Sequence, residues 1–116
     1  MQKLLLGLFV SVLTITSAYA FNLSFLAYSS VYYFTKADWA ISEQTANKAL
    51  NSARDNVKVS WNNPQTGAHG YFMPFNTTTQ NGKKCRQLKI VSEAHGVPGQ
   101  SVYQFCRING EWKIPN

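Results

Sequence analysis

The chain predicts an α+β domain in which one N-terminal helix packs on a four- to five-stranded antiparallel meander sheet with one disulfide. Three observations carry that expectation. A helix-start signal, Thr35-Lys36-Ala37-Asp38, opens a stretch with apolar residues at helical spacing. Alternating or aromatic-rich segments follow, separated by turn residues that include two Asn-Gly steps at 81–82 and 109–110. The chain's two cysteines, Cys85 and Cys106, fall within two of those segments, and each is followed by an arginine.

The first 34 residues read differently from the rest. Met1-Gln2-Lys3 is a short positive start, 4–15 an apolar run, and Ser17-Ala18-Tyr19-Ala20 a small-residue cleavage site. Residues 1–20 are therefore expected to be a secretory signal peptide cut after Ala20. The apolar run is shorter than the roughly 20 residues that a bilayer crossing needs. With no cysteine near the cleavage site, no lipid anchor is expected. Residues 21–34 form an apolar lead-in, expected as a strand or a packed extended arm; retained together with an uncleaved signal peptide, it would serve as an anchor. Residues 35–116 make up the domain.

Within the domain, the Thr35 hydroxyl and the Asp38 carboxylate can satisfy orphan backbone donors at the start of a helix, and Phe34 and Trp39 stand where a hydrophobic staple would place them. The helix should begin at Lys36. Trp39, Ala46, Ala49, Leu50 and Ala53 share one face, and the poor helix formers Asn51-Ser52 and Asp55-Asn56 should end it. Segment 57–61 alternates as a strand covered on one face does. Asn63-Pro64-Gln65-Thr66-Gly67 is a turn, in which proline fixes φ and glycine supplies a left-handed position. Segment 70–79 is the second strand, with Pro74 marking an edge or a bulge. A type I′ turn at Asn81-Gly82 leads to the third strand at 83–93. His95-Gly96-Val97-Pro98-Gly99 reads as a loop, 101–108 as the fourth strand, Asn109-Gly110 as another I′ turn, and 111–114 as a short last strand.

Charge and cysteine usage narrow the class. Of the eleven Lys and Arg, only Lys3 precedes residue 21, which leaves ten against five Asp and Glu, a net charge of about +5. That balance suits an anionic glycan or lipid surface of the cell envelope. Nucleic acid is not expected as a partner, since the chain reads as exported and its basic residues are scattered, with only Lys83, Lys84 and Arg86 clustered. Two cysteines entering an oxidising compartment in a small domain predict a disulfide, which closes a loop of a size that contributes roughly 3 kcal/mol. A loop centred near His95 and Gly96 sets Cys85 and Cys106 approximately opposite one another on adjacent strands.

No catalytic constellation, metal set or cofactor motif accompanies this framework. Asp38, Glu43 and Asp55 have structural explanations at a helix start, a helix flank and a turn, and His69 and His95 stand apart in turns or loops. The candidate binding residues are Arg86, Arg107, Trp61 and Trp112. Each arginine follows its cysteine by one position, so both should project from the face opposite the disulfide, either as a paired guanidinium site for a carboxylate or phosphate or, as the simpler expectation, in surface ion pairs with Glu93 or Glu111. Most of the aromatic residues, Trp61 and Trp112 among them, are expected to pack in the core or on strand faces; those left exposed beside the arginines would supply contact area for a glycan, peptide or protein.

A series of residues resembles one known family. Ala46-x-x-Ala49-Leu50, Trp61-x-Asn63-Pro64-x-Thr66-Gly67-x-x-Gly70, Pro74, Gly82-x-x-Cys85-Arg86 and Cys106-Arg107-x-x-Gly110-x-Trp112-x-Ile114 together are similar to the C-terminal domain of the rickettsial seventeen-kilodalton surface antigens. The resemblance runs from about Asp38 to Ile114. It implies a small exported envelope protein of a Gram-negative bacterium, in the periplasm or associated with the outer membrane or surface, and offers no catalytic residue to carry over. Relatives commonly carry a lipid-modified cysteine and a glycine-rich segment; neither is seen in this chain. The expected function is that of a non-enzymatic interaction or structural module that binds another envelope component. The competing expectation is an exported inhibitor of a host or periplasmic hydrolase, with 63–69 or 95–99 as its protruding loop.

Overall fold

The computed structural model describes residues 29–115. The expected signal peptide, and the lead-in as far as residue 28, lie outside the described residues. The remainder of the lead-in is neither a strand nor an extended arm. It forms a 3-10 turn, Ser30–Tyr33, because the Ser29 side chain accepts a hydrogen bond from the Val31 amide and the Phe34 amide closes on the Val31 carbonyl. Ser30 is buried, its hydroxyl 2.5 Å from that of Ser92. Gly99 makes that approach possible, since a Cβ there would lie 2.6 Å from Ser30 Oγ.

Helix α1 (Lys36–Ser52) begins and ends as the sequence predicts. The Thr35 hydroxyl accepts from the Asp38 amide at 3.2 Å, and Asp38 Oδ2 accepts from the Thr35 amide at 2.9 Å. The Phe34 and Trp39 rings meet edge to face at 5.2 Å. The buried stripe differs from the predicted one: Asp38, Ser42, Ala49 and Leu50 face inward, and Trp39 is 45 % exposed. The cause is that the first turn of α1 rests on a polar turn between strands and not on apolar sheet, so a carboxylate is the residue that points in.

Five strands, β1 (Val59–Asn62), β2 (His69–Gln80), β3 (Lys83–Ala94), β4 (Val97–Ile108) and β5 (Glu111–Lys113), form one antiparallel sheet in chain order. The last three hairpins turn on two residues at positive φ: Asn81 and Gly82 (52° and 77°), His95 and Gly96 (55° and 74°), Asn109 and Gly110 (52° and 79°). All three have the left-handed pair that a type I′ turn requires. The expected loop at 95–99 is thus shorter than predicted, and β4 starts at Val97. His-Gly occupies the turn as Asn-Gly does elsewhere. Pro74 lies on β2 just past the end of its pairing with β1 at Phe72, and the register slips between Phe75 and Thr78. Proline is tolerated there because no neighbouring strand asks for its missing N–H.

Pairing in β3 and β4 sets Cys85 opposite Cys106, with Cα atoms 4.0 Å apart and the disulfide formed. Period-two alternation then puts Arg86, Leu88, Ile90, Ser92 and Ala94 on the helix side of β3. The core is small: Ala49 and Leu50 from α1 meet Trp61, Ala68, Phe72, Leu88 and Ala94. Alanine on the helix lets it lie close to β1 and β2. Gly70 is needed on β2, because a Cβ there would lie 2.1 Å from the Val91 carbonyl oxygen.

Candidate functional site

Arg86 and Arg107 do project from the face opposite the disulfide, which is the face that carries α1. They part there. Arg86 is 4 % exposed, and all of its N–H donors are used within the domain. Nε donates to Thr77 Oγ1 at 2.8 Å, Nη1 to the carbonyls of Ala49 and Leu50 at 3.1 and 2.7 Å, and Nη2 to the Ala53 carbonyl at 2.7 Å and to Asp55 Oδ1 at 2.9 Å. The guanidinium therefore caps the C-terminal end of α1, where orphan carbonyls and the negative end of the helix dipole favour a cation. No donor remains for a ligand. The paired guanidinium site is not formed.

Asp55 completes this cluster. Its Oδ1 accepts from the Thr77 hydroxyl at 2.5 Å and its Oδ2 from the Thr77 amide at 3.1 Å. The Thr77 hydroxyl, the Arg86 guanidinium and the Thr77 amide together lower its carboxyl from 3.8 to about 2. The cluster also occupies the irregular part of β2, where the pairing with β3 slips.

Arg107 and Trp112 are brought together, at the exposed side of the same helix end. Arg107 Nη1 and Trp112 Nε1 both donate to Asn51 Oδ1, at 2.7 and 2.8 Å, and the guanidinium carbon lies 5.6 Å from the centre of the indole ring. With Asn47 and Lys113 they border a polar hollow of about 370 Å³. Lys113 has Glu111 3.7 Å away. Arg107 lines this hollow with a guanidinium that suits an acidic group.

Trp61 is a core residue, not a surface contact. It is buried edge to face with Phe34, ring centres 5.4 Å apart, and among the described residues its Nε1 has no hydrogen-bond partner. The motif that follows it has a structural purpose. Asp38 Oδ1 accepts from Asn63 Nδ2 at 2.7 Å and from Thr66 Oγ1 at 2.8 Å, which ties the start of α1 to the β1–β2 turn. Burial opposes ionisation of Asp38, but hydrogen bonds from the Thr35 amide, Thr66, Asn63 and the Thr35 hydroxyl outweigh it and hold the carboxyl below its ordinary value. Asn63 and Thr66 are thus fixed by a carboxylate 25 and 28 residues earlier.

An open apolar groove was not foreseen from the sequence. A groove of about 410 Å³ runs between Trp39 and Ala46 of α1 and Tyr103 and Phe105 of β4, with Phe72 and Ile90 along its floor. Its walls are almost wholly apolar. Trp39, Tyr103 and the adjoining Ile114 are 45, 43 and 54 % exposed. A simple measure explains it: strands spaced about 4.8 Å apart make a five-stranded sheet about 20 Å wide, and one helix is about 10 Å across. α1 lies over β1 and β2, and the 3-10 turn meets β4 only near Gly99, which among the described residues leaves the helix-side face of β4 open at Tyr103 and Phe105.

A capped helix clamped by a buried arginine onto a disulfide-linked meander, with an open apolar groove beside it, defines a small stapled α+β domain. Comparison with known sequences goes further. The chain is 33 % identical over 82 residues to the 17 kDa surface antigen of Rickettsia prowazekii (strain Madrid E), covering 68 % of this chain and 51 % of that protein. It is 32 % identical over 82 residues to the 17 kDa surface antigen of Rickettsia conorii, with the same coverage. With that of Rickettsia amblyommatis it shares 42 % identity over 72 residues, 60 % of this chain and 46 % of the relative. The chain belongs to the 17 kDa surface antigen family, and it spans about half the length of the curated relatives it matches. No family model matches it. No solved structure matches it either.

Proposed function

We propose that this protein is an exported, non-enzymatic component of the bacterial envelope that acts as an interaction module, taking an apolar portion of another envelope component into the groove between α1 and β4. The carrying observation is the groove itself. Its walls present Trp39, Tyr103 and Phe105, aromatic side chains of the kind that anchor interfaces, in a concave surface of ordinary ligand-site volume. The name "surface antigen" carried by the relatives supports an envelope location. A protein partner fits better than a bare anionic glycan or lipid surface, because the open aromatic surface is apolar. The Arg107–Trp112 hollow adds a place for an acidic group at its far end.

The test is site-specific photocrosslinking in intact cells. A photoreactive residue replacing Tyr103 should give a discrete adduct that is lost when Ala46→Trp fills the groove, while one replacing Gln87 on the opposite face should give none. Equal labelling from both positions would refute the groove as the binding surface. A hydrolase captured from the 63–67 turn, with nothing captured at Tyr103, would establish the inhibitor reading instead.

A further inference from the structure

The meander has several places where a backbone edge lies open, and the structure treats one of them differently. The outer edge of β2 beyond Phe72 is occupied near Pro74 and Thr77: the Pro74 carbonyl accepts from the Asn56 amide at 2.7 Å, and the Thr77 amide donates to Asp55. β1 is four residues long with Lys58 immediately before it, and β5 is three residues long with Glu111 and Lys113 at its ends. Short strands, charges and covered amides are the ordinary protections of a sheet edge. β4 has none of these along its middle. β5 pairs only with Cys106, Arg107 and Ile108, so among the described residues nothing pairs with the outer edge of β4 from Val97 to Phe105. That run, Val-Pro-Gly-Gln-Ser-Val-Tyr-Gln-Phe, carries no charge, although the chain as a whole is at +6.

Register shows which groups are open. In a two-residue hairpin the residues flanking the turn exchange both backbone bonds. Ala94 and Val97 flank one such turn, so Val97 and every second residue after it bond to β3. Ile108 and Glu111 flank the next, so the other set faces β5 and the open edge. The open edge therefore presents the N–H and C=O of Gln100, Val102 and Gln104. Pro98 belongs to the same set, and its missing N–H falls on the outer side, where no ladder needs it. The open groups thus begin with Gln100 and end where β5 takes over at Cys106.

We infer that this edge pairs with the same edge of a second copy of the chain, antiparallel about a two-fold axis through Val102. The segment is self-complementary in that register. Val102 lies opposite its own copy, Gln100 opposite Gln104 and Gln104 opposite Gln100, and the three residues on each side exchange six backbone hydrogen bonds. The glutamine side chains lie on the face away from α1, where amide can meet amide across the junction, and Val102, 48 % exposed, is covered by its counterpart. The absence of charge matters because the two-fold axis sets Val102 against its own copy, where a Lys or Glu would repel itself, and sets 100 against 104, where like charges would repel across the junction. A ladder of three bonding residues a side buries little area, so the pairing belongs to the weak, concentration-dependent class. Crowding on an envelope surface is the setting in which it forms.

Sedimentation velocity on the exported protein with its disulfide intact, over a wide concentration range, reads the association. A monomer–dimer equilibrium is expected. Val102→Lys, which sets two ammonium groups together on the axis, should weaken it at least ten-fold while leaving the circular dichroism and Tm near those of the parent. A short thiol crosslinker should join Val102→Cys to itself. It should leave Gln100→Cys alone monomeric, yet join Gln100→Cys to Gln104→Cys in a mixture. A protein that stays monomeric throughout, a dimer indifferent to Val102→Lys, crosslinks as ready at 100 alone as at 102, or an edge that binds an extended peptide but not its own copy would each overturn the inference.

Discussion

Arg86 Nη2 stands 2.9 Å from Asp55 Oδ1, and the same guanidinium reaches the carbonyls of Ala49, Leu50 and Ala53. One side chain from the third strand thereby closes the helix end, holds the chain that leaves it and anchors the irregular part of β2. A surface pair of this kind would contribute little. Here the cation is buried, and removing its partners or its fork strands polar groups away from water.

Arg86→Lys should therefore not be conservative. An ammonium keeps the charge but cannot span two helix carbonyls, Thr77 and Asp55 from one plane. The expected loss is about 3 kcal/mol, larger for Arg86→Ala. Urea denaturation reads it directly; a lysine variant with parental stability would show that the charge alone suffices.

Acid should destabilise the protein through Asp55 and Asp38. Both carboxyls are lowered in the folded state, Asp55 to about 2 from 3.8. A lowered folded-state value means that the stabilisation is fully present above the unfolded-state value and is lost as protons bind on the way down. For Asp55 the decline should start below about pH 5 and run to about pH 2. Thermal melts from pH 7 to pH 2 should show this slope, and Asp55→Asn should be less stable at pH 7 but flatter below pH 5. An unchanged slope in that variant would assign the acid sensitivity elsewhere.

Cys85→Ser and Cys106→Ser should each lower stability by about 3 kcal/mol, and the double variant by no more than either alone, because one bond is lost in every case. Reduction of the parent with dithiothreitol should give the same Tm as the double variant. Additive effects of the two single changes would mean that each cysteine contributes separately from the bond.

Gly70→Ala tests the close approach of β2 and β3. Its Cβ would lie 2.1 Å from the Val91 carbonyl oxygen and 2.9 Å from Ser92 Cα, both backbone atoms that cannot swing aside. A cost of about 2 kcal/mol or more is expected from forced strand displacement. Gly67→Ala, with open space around it but φ at 80°, should cost less. Reversal of that order in matched denaturation curves would contradict the packing seen between the two strands.

Much of the fold was legible because it rests on local rules. Thr35 and Asp38 announce the helix through a three-residue spacing, Asn81-Gly82 and Asn109-Gly110 announce hairpins through left-handed φ, and the reflection about His95 and Gly96 sets Cys85 opposite Cys106. Less could be read of the roles of polar and aromatic side chains. Arg86 and Trp61 look in the sequence like Arg107 and Trp112, yet the first pair is buried and the second lines the surface. Periodicity assigns Arg86 to a face; it does not say that this face meets the end of a helix more than thirty residues away.

The chain's own order of residues therefore decided where each element starts, how each hairpin turns and which cysteines meet, since those depend on dihedral preference and on counting along strands. Only the tertiary structure decided that Arg86 caps α1, that Asp38 holds the Asn63–Thr66 turn, and that a groove opens beside Tyr103. These follow from placing one helix about 10 Å wide on a sheet about twice that width. The buried polar contacts gather where the two ends of the helix meet the domain, at the β1–β2 turn and at Arg86 of β3, and among the described residues the helix-side face of β4 at Tyr103 and Phe105 that it leaves bare lines the groove.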